Sequence, residues 1–242
     1  MKKLSIKLND LNIYLKEEVN SFIKDGKVSV NNETIKNPNH LVSEDDIIFV
    51  NNQRAIKPEL KYFLINKPIN YLSNPFDKVK SKNIKELFLE EHQNKGLNTI
   101  AKIDYKHRGI MVLTNDLELI KKHNQLNLGI EYGYDIKLNS ILKREDLKKI
   151  KQGIKVDNAI LRPNYIKVTN VNPTTKQSTI KILINDAEIY HLNQMFKSLN
   201  YKLISVNRFK YDFLTNESLK QGTYRELKIH EMRKLHRFII KK

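Results

Sequence analysis

Apolar residues recur along the chain with two different periods, and the switches between them predict its elements. Over residues 11–23, Leu11, Ile13, Leu15, Val19, Phe22 and Ile23 keep a loose helical spacing, which Gly26 stops. Val28 and Val30 alternate as a short strand, Asn31 and Asn32 make a turn, and a second strand is predicted at 46–50. Residues 53–60 are polar, contain Pro58 and read as a linker. A strand follows at 61–65, closed by Asn66, Lys67 and Pro68, then a loop over 69–83 and a short helix over 84–92. The run from Gly109 to Leu113 is apolar and bounded by turn residues, as a buried strand is, and Asp104 stands at its head. Helices are predicted at 116–123, with Asp116 as cap, and at 144–153, 188–199 and 230–242. Strands are predicted at 132–138, 154–156, 160–161, 165–171, 178–184 and 203–209, with a turn and short strand over 219–226. Strands outnumber helices and short turns join them. The fold class is therefore α+β with a mixed, mostly antiparallel sheet, not a doubly wound parallel one.

Composition changes this picture in one direction. The chain has 242 residues, comfortable for two or three domains, and a formal net charge of +17. That charge suits an anionic polymer, because phosphate backbones are drawn to it at long range. A lone acid ahead of a buried strand suggests chemistry done on such a polymer. There is no Cys, which excludes disulfides, thiolate metal sites and cysteine nucleophiles. The seven His are scattered without metal-ligand spacing, and no phosphate-binding glycine loop or nucleotide-cofactor fingerprint occurs. Glu44, Asp45 and Asp46 read as a turn before a strand. No metal and no small-molecule cofactor is expected. MKKLSIKLND lacks the apolar core of a signal peptide, and no run approaches the roughly 20 apolar residues of a membrane helix. A soluble cytoplasmic protein with no membrane partner is expected, an organelle being the alternative.

The first unit, helix, Gly-Lys turn, strand, Asn turn, strand, resembles the small RNA-binding module named after ribosomal protein S-four. On that resemblance the module spans 1–52, with Lys24 and Lys27 against RNA phosphates. The remainder, 61–242 after the 53–60 linker, resembles the RsuA-type pseudouridine synthases, which modify single uridines of ribosomal RNA. Their Leu-x-Lys-Pro motif corresponds to Ile65, Asn66, Lys67 and Pro68. Their central motif, G-R-L-D-x-x-T-x-G-L-L-L-L-T-N-D, corresponds to the stretch from Ala101 to Asp116. Tyr132 to Ile136 matches their K-x-Y-x-V. Asn207, Arg208 and Phe209, followed by Gly222 to Leu227, resemble their closing segment.

The resemblance implies that the family breaks a uridine's N-glycosidic bond, turns the base and rejoins it through carbon, without cofactor or metal. Asp104 would act on the ribose, as nucleophile or as base, and Tyr134 would stack on the base. Lys67, Lys102, Arg108 and Arg208 fall in or beside the matched motifs and are expected at the RNA. The partner implied is ribosomal RNA or a ribosome precursor, bound by a monomer. The basic helix at the end, with Arg233, Lys234, Arg237, Lys241 and Lys242, is either a further RNA contact or a solvated tail.

The chain departs from the pattern where the family carries an Arg that faces the catalytic Asp. Asn193 stands there, with Gln194 beside it. Lys102 replaces an Arg, Ala101 a Gly and His107 a Thr. A buried carboxylate with no cation nearby tends to take a proton, so Arg108 and His107 become candidate substitutes. The alternative is a catalytically decayed homologue, a non-enzymatic RNA-binding or ribosome-assembly protein.

Overall fold

The structure, a computed structural model, describes residues 1–11, 14, 16–57, 59–74, 81–90, 96–123 and 128–240. Ile13, Leu15, Pro58, His92, Lys241 and Lys242, to which the sequence assigns places, lie outside the described residues. The chain divides into two compact units, 1–61 with 115–119, and 62–114 with 120–242.

In the first unit β1 (Lys2–Lys3) leads into α1 (Leu4–Asp10), followed by α2 (Lys16–Lys24). Then come β2 (Val28–Val30), β3 (Glu33–Thr34), β4 (Leu41–Val42), β5 (Ile48–Val50) and β6 (Gln53–Arg54). β3-β2-β5-β6 form an antiparallel sheet, and β1 pairs with β4. Alternation along β2 and β5 sends Val28, Val30, Ile48 and Val50 into a core with Leu4, Leu8, Val19 and Ile23. Helix α1 was not legible as a helix: Leu4 and Leu8 sit one turn apart on its buried face, but the segment is too short to show a period. The expected 53–60 linker is corrected at its start. Asn51 and Asn52 both have positive φ, as type I′ hairpin turns require, so Gln53 and Arg54 fold back onto β5.

The second unit begins with β7 (Tyr62–Lys67), a 3₁₀ turn (Ile84–Leu87), β8 (Asn98–Ile100) and β9 (Arg108–Thr114). After α3 (Leu117–His123), which crosses the division between the units, come β10 (Glu131–Leu138) and α4 (Arg144–Gln152). The chain continues through β11 (Ile154–Val156), β12 (Ala159–Leu161), β13 (Tyr165–Asn172) and β14 (Gln177–Asn185). It ends with α5 (Ile189–Lys197), β15 (Leu203–Tyr211), β16 (Leu214–Thr215), β17 (Tyr224–Glu226) and α6 (Ile229–Ile240). Asp116 caps α3 as its position predicts, its Oδ1 accepting from the Leu119 amide at 3.1 Å. The segment expected as a helix at 84–92 shows a 3₁₀ turn, capped by reciprocal bonds between Asn83 and Glu86.

Nine strands form one sheet with the spine β13-β14-β10-β15-β9-β7-β17, β16 joining β15 and β8 joining β9. Its pairings among the described residues are antiparallel except β15 with β9, which lie parallel near the middle. The sheet is thus mixed and mostly antiparallel. Every residue of β7 is buried, and of β9 all but Arg108. Continuous apolar runs mark strands covered on both faces, and the next site is built at the ends of these two.

Candidate active site

The parallel pair fixes the floor. Register sets Arg208 of β15 opposite Gly109 of β9, and Lys67 of β7 opposite Gly109 on its other side. A Cβ on Gly109 would lie 2.4 Å from the backbone N and O of Arg208. Only glycine admits so close an approach, at a φ of +129°. Arg208 is fully buried; its Nε donates to the Ile110 carbonyl at 2.8 Å and Nη2 to that of Ala101. Its guanidinium also lies 5.7 Å from the Tyr132 ring centre.

Above this floor runs the loop 101–107. Ile103 is buried and both its main-chain polar groups meet the Ser73 hydroxyl, which accepts from the Ile103 amide at 3.3 Å and donates to its carbonyl. The Asn70 amide donates to the Tyr105 carbonyl at 2.8 Å, and the His107 amide to that of Asp104 at 3.0 Å. The backbone on either side of Asp104 is therefore fixed, while its side chain is exposed. Ala101, where the family pattern has Gly, adopts a φ of +55°. That conformation strains a residue with a Cβ by about 1–2 kcal/mol. Ala101→Gly is therefore expected to stabilise the chain by about 0.5–1 kcal/mol once the added freedom of the unfolded glycine is subtracted, read as a higher urea midpoint.

Two basic side chains, Lys67 and His107, feel the charge of Asp104. Lys67 is buried, its Nζ donating to the carbonyls of Pro68 at 3.0 Å and Tyr71 at 2.8 Å. Burial pushes its ammonium down to about 8; the Asp104 charge pulls it back up, and Arg208 lowers it further. Burial likewise holds the His107 imidazole below its usual range, again opposed by Asp104, with Lys67 and Lys106 adding to the lowering. In the unfolded chain the Lys67 amine keeps its proton up to its ordinary 10.5. Between about pH 8 and 10.5 the unfolded state thus binds more protons, and stability rises with pH; the cost of burying this charge is fully present below that window. Urea unfolding should show wild type gaining on Lys67→Met across that interval and no relative change from this group below it. A constant difference would contradict the assignment.

Burial differs among the residues expected at the site. Lys67 and Arg208 are fully buried and hold main-chain carbonyls, so neither presents its charge to a phosphate. Lys102 and Arg108 are exposed, as are Lys24 and Lys27 in the first unit. Tyr134 is fully buried rather than open for stacking. Its hydroxyl donates to the Ala187 carbonyl at 3.0 Å, and burial pushes its pKa well above the ordinary phenol range, against the pull of Arg208, so that it stays neutral. Asn193, on α5, is exposed. Ser73, which braces the loop, carries no motif and was not legible in the sequence. Among the described residues no cluster of three His, Asp or Glu side chains is placed to hold a metal ion. No helix there is long and apolar enough to cross a membrane.

The chain thus joins a small first unit, of two helices and six short strands among its described residues, to a mixed-sheet unit that presents Asp104 on a braced loop. Residues 61–230 match the model of the RNA pseudouridylate synthase family, and residues 9–48 that of the S4 domain. The first match spans most of the chain, which belongs to the RNA pseudouridylate synthase family. It is 27% identical to the ribosomal large subunit pseudouridine synthase B of Bacillus subtilis (strain 168), over 97% of this chain and 96% of that one. An uncharacterized RNA pseudouridine synthase of Aquifex aeolicus (strain VF5) is 23% identical over 93% of this chain and 92% of its own. A crystal structure of a pseudouridylate synthase shares the fold with a TM-score of 0.62 at 20% identity, covering 97% of this chain and 100% of the other.

Proposed function

We propose that the protein isomerises a specific uridine of ribosomal RNA to pseudouridine, with Asp104 as the carboxylate that acts on the ribose. The observation that carries this reading is the placement of Asp104: exposed, on a loop held by Ser73 and Asn70, and within the field of Lys67 and His107. A braced carboxylate open to solvent can meet a nucleotide that has left its stack, an exit that costs roughly a few kcal/mol. The product is an isomer of the substrate, so the reaction consumes no co-reactant and needs no cofactor. The carboxylate serves as nucleophile or as base at the neighbouring carbon.

Lys102 and Arg108 contact the phosphates around the target, and Lys24 and Lys27 contact RNA from the first unit. Lys67 acts from below as a fixed positive charge, taking over part of what the family arginine does. Tyr134 supports the floor through Ala187 and Arg208 instead of stacking on the base in this state. On this reading an RNA-binding module, 1–52 with the returning strand β6, precedes a catalytic domain over 61–242, and the protein works as a cytoplasmic monomer.

Pseudouridine mapping of ribosomal RNA from cells with and without the gene tests this. One pseudouridine should disappear with the gene and return with the wild-type copy. Unchanged modification at every site, with ribosome binding intact, would favour the non-enzymatic alternative instead.

A further inference from the structure

The charge of the chain is divided unevenly. Residues 1–60 carry nine Lys and Arg against nine Asp and Glu, whereas residues 61–242 carry 35 against 18. Residues 1–60 thus carry no net charge, and Lys27 is already paired with Asp25 at 3.2 Å. The excess of positive charge therefore lies in residues 61–242. A neutral module that engages RNA needs something other than net charge, and its sheet supplies it.

The face of β3-β2-β5-β6 turned away from the core carries one cross-strand row: Thr34, Ser29, Phe49 and Arg54, each paired in register with the next. Phe49 is half-buried and, unlike Tyr14 and Phe22 in the same unit, makes no ring contact among the described residues. Hairpin turns close the two ends of the β2–β5 pair and bring Asn32, Asn51 and Asn52 to the rim, all at positive φ. Asn31 is committed to structure, donating to Asp46 at 2.9 Å and accepting from the Ile47 amide at 2.9 Å. The side chains of Asn32, Asn51, Asn52, Ser29 and Thr34 make no hydrogen bond among the described residues. Together with Phe49 they line an open recess of about 560 Å³.

We infer that this recess binds one unpaired nucleobase of the substrate RNA. The flat ring of Phe49 offers a stacking platform, the amides and hydroxyls offer donors and acceptors to a base edge, and Arg54 stands beside the ring for the adjoining phosphate. Single-stranded RNA is read by this combination of aromatic stacking and polar side chains. A purely apolar occupant would leave the amides and hydroxyls unpaired, and a polyanion alone would find no net charge. The inference rests on the chain acting on RNA and adds a second contact, on the module and not at Asp104.

The test uses the full-length protein and fluorescein-labelled uridine and adenosine 8-mers, with an abasic ribose-phosphate 8-mer as the third probe. Wild type should bind the base-bearing oligomers more tightly than the abasic one. Phe49→Ala should lose about tenfold in affinity for the base-bearing oligomers, little for the abasic one, and Phe49→Tyr should retain wild-type binding. The dependence of affinity on salt should be unchanged in Phe49→Ala, because no phosphate contact is removed. Unfolding curves superimposable on wild type show the module intact; the half-exposed ring makes that the expected result. If Phe49→Ala binds all three probes as wild type does, the recess is overturned while the catalytic reading stands. If wild type binds none of them, the recess and the RNA-directed function fail together. Loss of pseudouridine formation by an Asp104 variant that still discriminates base-bearing from abasic probes supports the recess as a separate site.

Discussion

Asp104→Asn should lower pseudouridine formation by at least about 10²–10⁴-fold while leaving RNA affinity close to wild type. The substitution keeps the size of the side chain and removes its charge and its basicity. The loop is expected to hold its shape, because its anchors are the Ile103 and Tyr105 main chains, not the Asp104 carboxylate. Asp104→Glu should also be poor, since an added methylene moves the carboxylate against a backbone that cannot follow. Single-turnover measurement on a ribosomal RNA transcript separates this loss from any loss of binding. An Asp104→Asn protein that turns over at the wild-type rate would remove Asp104 from the chemistry. Removing the nearby cation should have a smaller effect: Lys67 lies under the loop, and its charge reaches Asp104 only through space.

Gly109→Ala should be the most damaging single change to stability, at about 3–5 kcal/mol. The added methyl meets the Arg208 backbone N and O at 2.4 Å and its carbonyl carbon at 2.8 Å. Main chain in the middle of a nine-stranded sheet does not move aside as the end of a lysine does. The change also imposes a φ of +129° on a residue with a Cβ. Gly129 provides the control, since its φ is +71° but nothing stands within 4 Å of the added atom. Gly129→Ala should cost only about 1–2 kcal/mol of backbone strain. Urea unfolding of the two variants isolates the clash as the difference between them. Equal losses would show that β9 and β15 can separate. Against a total stability of about 5–15 kcal/mol, the larger loss leaves a marginal protein, and the loop carrying Asp104 should loosen with it.

Much of the fold was legible because long alternating runs have one reading. Gln177–Asn185 and Glu131–Leu138 show a two-residue period that places alternate residues in the core, and they formed as strands close to the expected limits. Glu188 to Leu199 showed a helical period and formed Ile189–Lys197. Short elements were missed for the opposite reason. Leu4–Asp10, Asn98–Ile100 and Leu214–Thr215 contain too few residues to show a period and are held by their neighbours. The linker was misplaced at its start because Asn51 and Asn52 act as a turn only when a partner strand is there to receive Gln53 and Arg54.

The candidate site divides along the same line. Sequence by itself determined the α+β class, the family and the position of Asp104, because these depend on residue order and motif spacing. It also pointed to Lys67 and Arg208, but as cations for phosphate. Only the tertiary structure decided that both are buried, that Asp104 is exposed, and that Tyr134 faces inward. The physical reason is that burial depends on which strands become neighbours. The parallel pairing of β9 with β15 joins segments about a hundred residues apart, and no local pattern encodes that. It is this pairing that turns Arg208 under the Asp104 loop and makes Gly109 indispensable.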